Sequence, residues 1–175
     1  MLRKPLALLS FLAALALTAC DEGNTNRLNT GDIAPAFAAS SLGAVPFRFP
    51  DDLRGKPVVI RFWADWCRFC EGEMKAIERV WQRHKDQGLM VIAVNAGQNR
   101  QDVAAFISKI GVTYPALLDE KAAISRQYGV VALPTTYFVG ADGRIRGKVL
   151  GEADEATFER LAVDLSRAAI QAAPA

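Results

Sequence analysis

The middle of the chain combines two hydrophobic patterns that predict a strand, a helix and a second strand. Val58–Trp63 is rich in β-branched and aromatic residues, which is typical of a central strand. Apolar residues then recur at the spacing of an amphipathic helix, and Gly88 follows as a stop signal. Residues 89–94 are again almost continuously apolar and predict a strand. Two strands joined in this way should be parallel. The predicted helix face consists of Met74, Ile77, Trp81 and His84.

Two further helices are predicted after the second strand. The first places four apolar side chains on one face, and Gly111 is expected to end it. The second is short, covers residues 120–128 and has Asp119 as its N-terminal cap. The apolar face of the first of these helices consists of Val103, Phe106, Ile107 and Ile110.

The last part of the chain predicts a hairpin and a C-terminal helix. Thr135–Val139 and Ile145–Leu150 are apolar segments separated by residues 140–144, where an Asp-Gly pair supplies the backbone freedom of a tight turn. These two strands should be antiparallel. The helix that follows has an acidic first turn, which suits its N-terminal partial charge. Its predicted buried face consists of Phe158, Leu161, Leu165 and Ala168.

Two short segments, residues 37–39 and 45–49, predict strands ahead of this unit. The whole pattern therefore predicts an α/β fold in which a central mixed sheet, with an N-terminal strand extension, is flanked by helices. A chain of 175 residues is long enough for one compact domain and too short for several.

Composition narrows the range of functions. The chain has 21 Lys and Arg against 19 Asp and Glu, and both signs are interspersed, so no basic patch predicts nucleic-acid binding. Three cysteines and one histidine are too few for a disulfide scaffold or a complete zinc site. We therefore expect neither a nucleic-acid partner nor a bound metal.

The first 19 residues have the pattern of a lipoprotein signal peptide. Arg3 and Lys4 precede an apolar run, residues 5–17, that is too short to cross a bilayer as a helix of ~20 residues. Residues 17–20, LTAC, resemble the bacterial lipobox, and this resemblance implies a lipid anchor on Cys20. The alternative is an ordinary cleaved signal peptide in which Cys20 is incidental.

Residues 20–30 are mostly polar and predict a lipidated cysteine followed by a flexible tether, with the domain at residues 31–175. We expect the protein on the periplasmic side of a bacterial cell envelope, lipid-anchored to the membrane. Asp21 directly follows the predicted anchor, which resembles the inner-membrane retention signal of enteric bacteria. Outside the cytosol a pair of thiols can form a disulfide.

The sequence WCRFC, residues 66–70, lies between the predicted central strand and its helix. Two thiols three residues apart on a first helical turn lie side by side and can form a disulfide. The amides at a helix N-terminus stabilise thiolate over thiol, which makes Cys67 the expected nucleophile and Cys70 the expected resolving thiol.

Two structural interpretations compete with redox catalysis. A permanent Cys67–Cys70 disulfide would close so short a loop that it would add little stability. Half of a zinc site would need further ligands, and the predicted mature domain has no third thiol. We therefore expect a redox-active disulfide and no other cofactor.

Several spaced motifs carry a family resemblance. FWADWC (residues 62–67) and LPTTYF (residues 133–138) resemble the active-site and cis-proline segments of the thioredoxin fold. Residues 31–37, 94–98 and 114–119 resemble the TlpA/ResA-like branch of the redoxin superfamily, which are membrane-anchored thiol-disulfide oxidoreductases. The resemblance covers about residues 31–152 and implies a thioredoxin-like fold.

The resemblance also implies roles for single residues. In the family the cis-proline lies against the cysteine pair and the backbone of the preceding residue binds the substrate peptide, which implies these roles for Pro134 and Leu133. The alternative for Pro134 is an ordinary turn proline. We expect Trp66, Arg68 and Phe69, which flank the cysteines, to contact substrate proteins.

Two departures from the family pattern lie near the cysteines. Gln98 stands where many cytochrome c maturation reductases carry a glutamate, and an amide cannot titrate. Arg61 stands where thioredoxins hold a buried acid. A guanidinium there would favour thiolate; alternatively Arg61 points sideways and pairs with a carboxylate such as Asp119 or Glu152. Arg61 and Gln98 are therefore the candidates for tuning the pKa of the thiols.

The leading functional hypothesis is an envelope thiol-disulfide reductase that acts on disulfide-bearing envelope proteins such as apocytochrome c. A membrane thiol electron donor would keep it reduced, and we expect a monomer. A thiol oxidase or isomerase of the same fold remains an alternative, because direction depends on potential and partner. Two more distant alternatives are a Cu(I) or haem chaperone that uses the two thiols as soft ligands and a peroxiredoxin, whose nucleophile motif P-x-x-x-T/S-x-x-C the chain lacks.

Overall fold

The computed structural model describes residues 27–43 and 45–172, which form a seven-stranded sheet and four α-helices. The predicted signal peptide and Cys20 lie outside the described residues. The elements are β1 (Phe37–Ser41), β2 (Phe47–Phe49), β3 (Val58–Trp63), α1 (Cys70–His84), β4 (Met90–Ala96), α2 (Arg100–Ile110), β5 (Ala116–Asp119), α3 (Ala123–Gln127), β6 (Thr135–Val139), β7 (Ile145–Leu150) and α4 (Glu155–Ala172).

The sheet has the strand order β2-β1-β5-β4-β3-β6-β7. Strands β3, β4 and β5 are parallel, whereas β6 and β7 form an antiparallel hairpin beside β3. The predicted mixed sheet, with its βαβ unit, its hairpin and its N-terminal strand extension, is therefore confirmed. Strand β5, which pairs with β1 and β4, was not predicted.

Strand β3 lies in the middle of the sheet, and all six of its residues are buried. Its side chains alternate between two apolar layers, which explains the continuous hydrophobic run in the sequence. Val59 and Trp63 face a core formed with α1, α2 and α4, whereas Ile60 and Phe62 face a core formed with β1, β2 and α3. By this alternation Arg61 lies on the α1 side.

The predicted helices form, with shifted ends. Gly88, with a left-handed φ of 92°, ends the short 3-10 segment that extends α1. Gly111, with a left-handed φ of 72°, ends α2. Helix α3 begins at Ala123 rather than residue 120, yet the Asp119 carboxylate accepts hydrogen bonds from the backbone N–H groups of Ile124 and Ser125. Asp119 therefore caps this helix as predicted.

The expected inner face of α4 needs one correction. Phe158 and Leu165 are buried and Leu161 is partly buried, but Ala168 is exposed and Ala162 is buried in its place. Ala168 lies one turn beyond Leu165 and is not part of the buried face. Along the described residues, no helix is both long and apolar enough to cross a membrane.

Exposed ion pairs link α1 to α4. Arg83 contacts the carboxylates of Glu155 and Glu159 at 2.9 and 2.5 Å, and Arg79 contacts Glu155 at 2.7 Å. His84 Nε2 lies 2.5 Å from a Glu159 oxygen, far along α1 from the cysteines. These contacts fix the packing of two helices and give His84 a structural role.

Candidate active site

The cysteine pair lies where β3 ends and α1 begins. Cys67 and Cys70 form a disulfide with Cα atoms 5.4 Å apart. Helix α1 begins at Cys70, so Cys67 lies in the turn before the helix rather than in its first turn, which corrects the expected placement. The turn is closed by a hydrogen bond from Cys70 N–H to the Cys67 carbonyl oxygen at 3.0 Å.

Cys67 and Cys70 differ in their exposure to solvent. Cys67 is 6% exposed, whereas Cys70 is 0% exposed and packs against the core below α1. A partner sulfur can therefore approach Cys67 but not Cys70. The roles of Cys67 as nucleophile and Cys70 as resolving thiol stay predictions, and this difference in exposure favours them.

Local charges around the N-terminus of α1 are mostly compensated. Hydrogen bonds from Lys109 and Lys75 lower the pKa of Glu71 to about 2, so this carboxylate carries its charge at neutral pH. Arg68, between the cysteines, is exposed and lies over the ring of Phe69, 5.6 Å from its centroid. The positive end of the helix and Arg68 thus lie close to Cys67 in sequence, as does the exposed Asp65 two residues before it.

The predicted proline segment lies at the same edge of the sheet. The Leu133–Pro134 peptide bond is cis, Pro134 is buried and Leu133 is partly buried. The register pairs Phe62 with Thr135, so antiparallel β6 begins beside the end of β3. The Pro134 carbonyl oxygen accepts a hydrogen bond from Gly151 N–H at 2.9 Å, which joins this segment to the loop before α4. A second cis bond, Phe49–Pro50, was not predicted.

Gln98 connects the end of β4 to the turn that carries Cys67. Its side-chain oxygen accepts hydrogen bonds from Asp65 N–H at 2.9 Å and from Asn95 Nδ2 at 2.8 Å. Gln98 N–H in turn donates to Asn95 Oδ1 at 3.1 Å. The observed contacts of Gln98 therefore position the backbone two residues before Cys67.

Arg61 is completely buried and pairs with Glu73, which corrects the predicted partners Asp119 and Glu152. Asp119 caps α3, and Glu152 is exposed. Arg61 Nη1 also donates to Thr136 Oγ1 at 2.8 Å. Burial lowers the pKa of Arg61, and the neighbouring Glu73 carboxylate opposes this shift.

Glu73 was not identified from the sequence. It lies three residues after Cys70, which places it on the same, buried face of α1. Its Oε2 atom binds Arg61, and its Oε1 atom accepts a hydrogen bond from Ala153 N–H. The sequence does contain a signal for Glu73, because it is a charged residue at a position of α1 that the helical spacing predicts to be buried.

Exposed apolar side chains lie on the segments that carry the disulfide and the cis-proline, and on the neighbouring strand β7. Trp66 is 70% exposed and Phe69 is 41% exposed, on either side of Cys67. Val131, three residues before Pro134, is 81% exposed, and Leu150, paired with Thr135 in the sheet, is 63% exposed. Val131 and Leu150 were not predicted. Such exposed side chains around a reactive centre are typical of a protein-docking surface.

A groove of about 320 Å³ runs beside this surface, between α1 and the loop before α4. Its lining includes Arg68 and Phe69 from the cysteine turn, Gly72 from α1, and Glu152 and Glu155 from the segment where α4 begins. A Cβ atom added at Gly72 would meet nothing within 4 Å. Over the described ranges, no group of three or more His, Cys, Asp or Glu could hold a metal ion.

The chain resembles curated proteins and solved structures over most of its length. Residues 30–148 match the AhpC/TSA family. The thiol-disulfide oxidoreductase ResA of Geobacillus thermodenitrificans is 34% identical over 146 residues, covering 82% of this chain and 83% of its own. ResA of Bacillus subtilis is 30% identical over 128 residues, covering 73% and 71%.

Among solved structures, a proposed thiol:disulfide interchange protein DsbE from Chlorobium tepidum is 26% identical with a TM-score of 0.75, covering 79% of this chain and 99% of its own. A secreted Mycobacterium tuberculosis disulfide oxidoreductase, homologous to Escherichia coli DsbE, is 25% identical with a TM-score of 0.67, covering 74% and 96%. The chain therefore belongs to the AhpC/TSA family, as a thiol-disulfide oxidoreductase of the ResA and DsbE type with a Cys67–Cys70 pair.

Proposed function

We propose that this protein reduces disulfides of partner proteins on the periplasmic side of a bacterial cell envelope, apocytochrome c among them. The observation that carries this proposal is the Cys67–Cys70 pair, whose first sulfur lies at the edge of an exposed apolar surface and whose second is inaccessible. The thiol-disulfide chemistry of the ResA and DsbE relatives supports it.

Each proposed step exchanges one disulfide for another. The Cys67 thiolate attacks one sulfur of the partner disulfide, that S–S bond breaks, and the other partner sulfur leaves as a thiolate that takes a proton from water. The Cys70 thiol then loses its proton to water, its thiolate attacks the Cys67 sulfur, the S–S bond between Cys67 and the partner breaks, and the second partner sulfur leaves as a thiolate that takes a proton from water. Two electrons and two protons thus pass to the partner, and a membrane dithiol protein must reduce the Cys67–Cys70 disulfide again.

Partner proteins would dock on the exposed side chains that surround Cys67. Trp66 and Phe69 offer aromatic surface, and the backbone of Leu133 beside the cis-proline offers hydrogen-bonding groups to an extended peptide. Arg68 lies over Phe69 at the start of the groove along α1. Buried Pro134 would hold this peptide-binding segment against the cysteine pair.

Trapping tests the direction of electron flow. The Cys70→Ser variant cannot resolve mixed disulfides, so partner proteins should accumulate on Cys67, whereas the matched Cys67→Ser variant should trap none. In cells that lack the protein, the trapped partners should accumulate as disulfides. If they accumulate as dithiols instead, the protein is an oxidase, and if the Cys70→Ser variant traps nothing, protein disulfides are not its substrate.

We also propose that Cys20 is lipidated and anchors the domain to the inner membrane by a polar tether. The LTAC sequence and the short apolar run before it support this proposal. Metabolic labelling with a palmitate analogue should mark the wild-type protein and not the Cys20→Ala variant, which should leave the membrane fraction. Equal labelling of both proteins would refute the anchor.

A further inference from the structure

Three segments of the site are linked through two buried side chains, Arg61 and its ion-pair partner Glu73. The three segments are the first turn of α1 after Cys70, the start of β6 after Pro134, and residues 151–154 before α4. Arg61, in β3, is 0% exposed and contacts the first two segments directly, and Glu73 reaches the third.

The contacts form a closed chain of polar groups. Arg61 pairs with Glu73 on α1 and donates to Thr136 on β6 at 2.8 Å. Glu73 accepts from Ala153 N–H with its second oxygen. Gly151 N–H, in the same segment as Ala153, donates to the Pro134 carbonyl oxygen at 2.9 Å, and Pro134 directly precedes β6.

A guanidinium is suited to this position, because its planar donors fix two acceptors at set angles. Stability alone does not explain the pair, since apolar side chains of similar volume often stabilise a core as well or better. What the ion pair adds is a fixed geometry between segments that are far apart in sequence. The register that places Thr136 opposite Arg61 makes β6 part of that geometry.

We propose that Arg61 is a positioning residue that holds the cis-proline segment and residues 151–154 in a fixed arrangement with the cysteine helix, so that a partner polypeptide can bind all three at once. This inference rests on the proposed function. A small disulfide needs only Cys67 and should react independently of this arrangement. A peptide that binds alongside the cis-proline depends on it.

The test compares two variants of Thr136 that differ in one hydroxyl. Thr136→Val removes the acceptor of Arg61 from β6 while leaving the Arg61–Glu73 pair in place, and Thr136→Ser keeps the hydroxyl as a matched control. The measured quantity is the ratio of the rate constant with a synthetic peptide carrying an intramolecular C-x-x-C disulfide to that with oxidised glutathione. We expect Thr136→Val to lower this ratio about fivefold and Thr136→Ser to leave it unchanged.

Arg61→Lys provides a second variant, because it keeps the charge but lacks the planar fork. It should lower the ratio in the same direction. An unchanged ratio in Thr136→Val, even with a lower melting temperature, would show that the network is only structural and overturn the inference. If the wild-type protein reduces neither disulfide, the proposed function itself fails, whatever the variants do.

Discussion

Replacing Arg61 by Met should destabilise the protein far more than replacing an exposed arginine. The Arg61 side chain is 0% exposed and that of Glu73 is 6% exposed, so the substitution leaves a carboxylate in the core without its cation. Breaking a buried ion pair by removing one partner costs about 3–5 kcal/mol. Met fills a similar, irregular volume, so cavity formation should add little.

Two smaller effects act in opposite directions. Thr136 Oγ1 loses its donor, which costs about 1 kcal/mol. Arg61 Nε is itself buried without a partner, and removing it relieves a desolvation penalty of about 1–3 kcal/mol. The net loss should therefore be about 3 kcal/mol, within a range of about 1–5 kcal/mol, and a loss of about 3 kcal/mol corresponds to a melting temperature lower by roughly 10 °C for a domain of this size.

Urea denaturation of the oxidised protein, followed by tryptophan fluorescence, measures this loss as a shift in midpoint at constant m value. Arg83→Met is the matched control, since Arg83 forms only exposed ion pairs and should change the free energy of unfolding by less than about 1 kcal/mol. The double variant Arg61→Met/Glu73→Leu should recover most of the loss. A loss below about 1 kcal/mol in Arg61→Met, or a double variant no better than the sum of its parts, would refute the reasoning.

Three further outcomes follow from other parts of the structure. Gly72→Ala should raise the free energy of unfolding by about 0.5–1 kcal/mol through helix propensity, whereas Gly72→Trp should fill the groove and slow reaction with the peptide disulfide but not with oxidised glutathione. Gln98→Ala should slow alkylation of Cys67 by iodoacetamide about fivefold, because the turn before Cys67 loses a hydrogen bond. Gln98→Glu should keep that hydrogen bond and add a titration to the pH profile of the alkylation rate. Identical profiles for Gln98→Glu and wild type would contradict this. Hydrogen bonds from Arg79 and Arg83 lower the pKa of Glu155, and hydrogen bonds from His84 and Arg83 lower the pKa of Glu159. The stability that these contacts add is therefore present above the ordinary glutamate pKa of about 4.3 and is lost as the pH falls through the lower pKa values of the folded protein. Urea midpoints measured across that range should fall less steeply in Glu159→Gln.

Elements with strong periodicity could be predicted from the sequence, whereas elements defined by distant pairing could not. Strand β3 and helix α1 are long and regular, so local pattern alone identified them. Strand β5 has four residues and acquires its identity from pairing with β4 and β1. A run of that length does not distinguish a strand from a turn of helix.

The same distinction applies to the site. Cys67, Cys70 and Pro134 belong to short sequence motifs, so they could be identified as site candidates without knowledge of the fold. The partners of Arg61 lie 12 and 75 residues away and become visible only when the sheet register is known. Alternation along β3 could have directed Arg61 towards α1, and hence away from Asp119, which is the last residue of β5 and caps α3 on the other side of the sheet.

The pairing of Arg61 changes the charge expected around the disulfide. Because Glu73 compensates its guanidinium, Arg61 does not act as a lone positive charge behind the cysteines. Glu71 is compensated in the same way by Lys75 and Lys109. Within the described part of the chain, Arg68 contacts the Phe69 ring and no carboxylate at ion-pair distance, so it and the helix N-terminus favour the Cys67 thiolate, whereas the exposed acidic residue Asp65 acts in the opposite direction. Favouring thiolate stabilises the reduced form and makes the couple less reducing, so these two features act against the reductase direction that we propose and make the measured reduction potential a test of it.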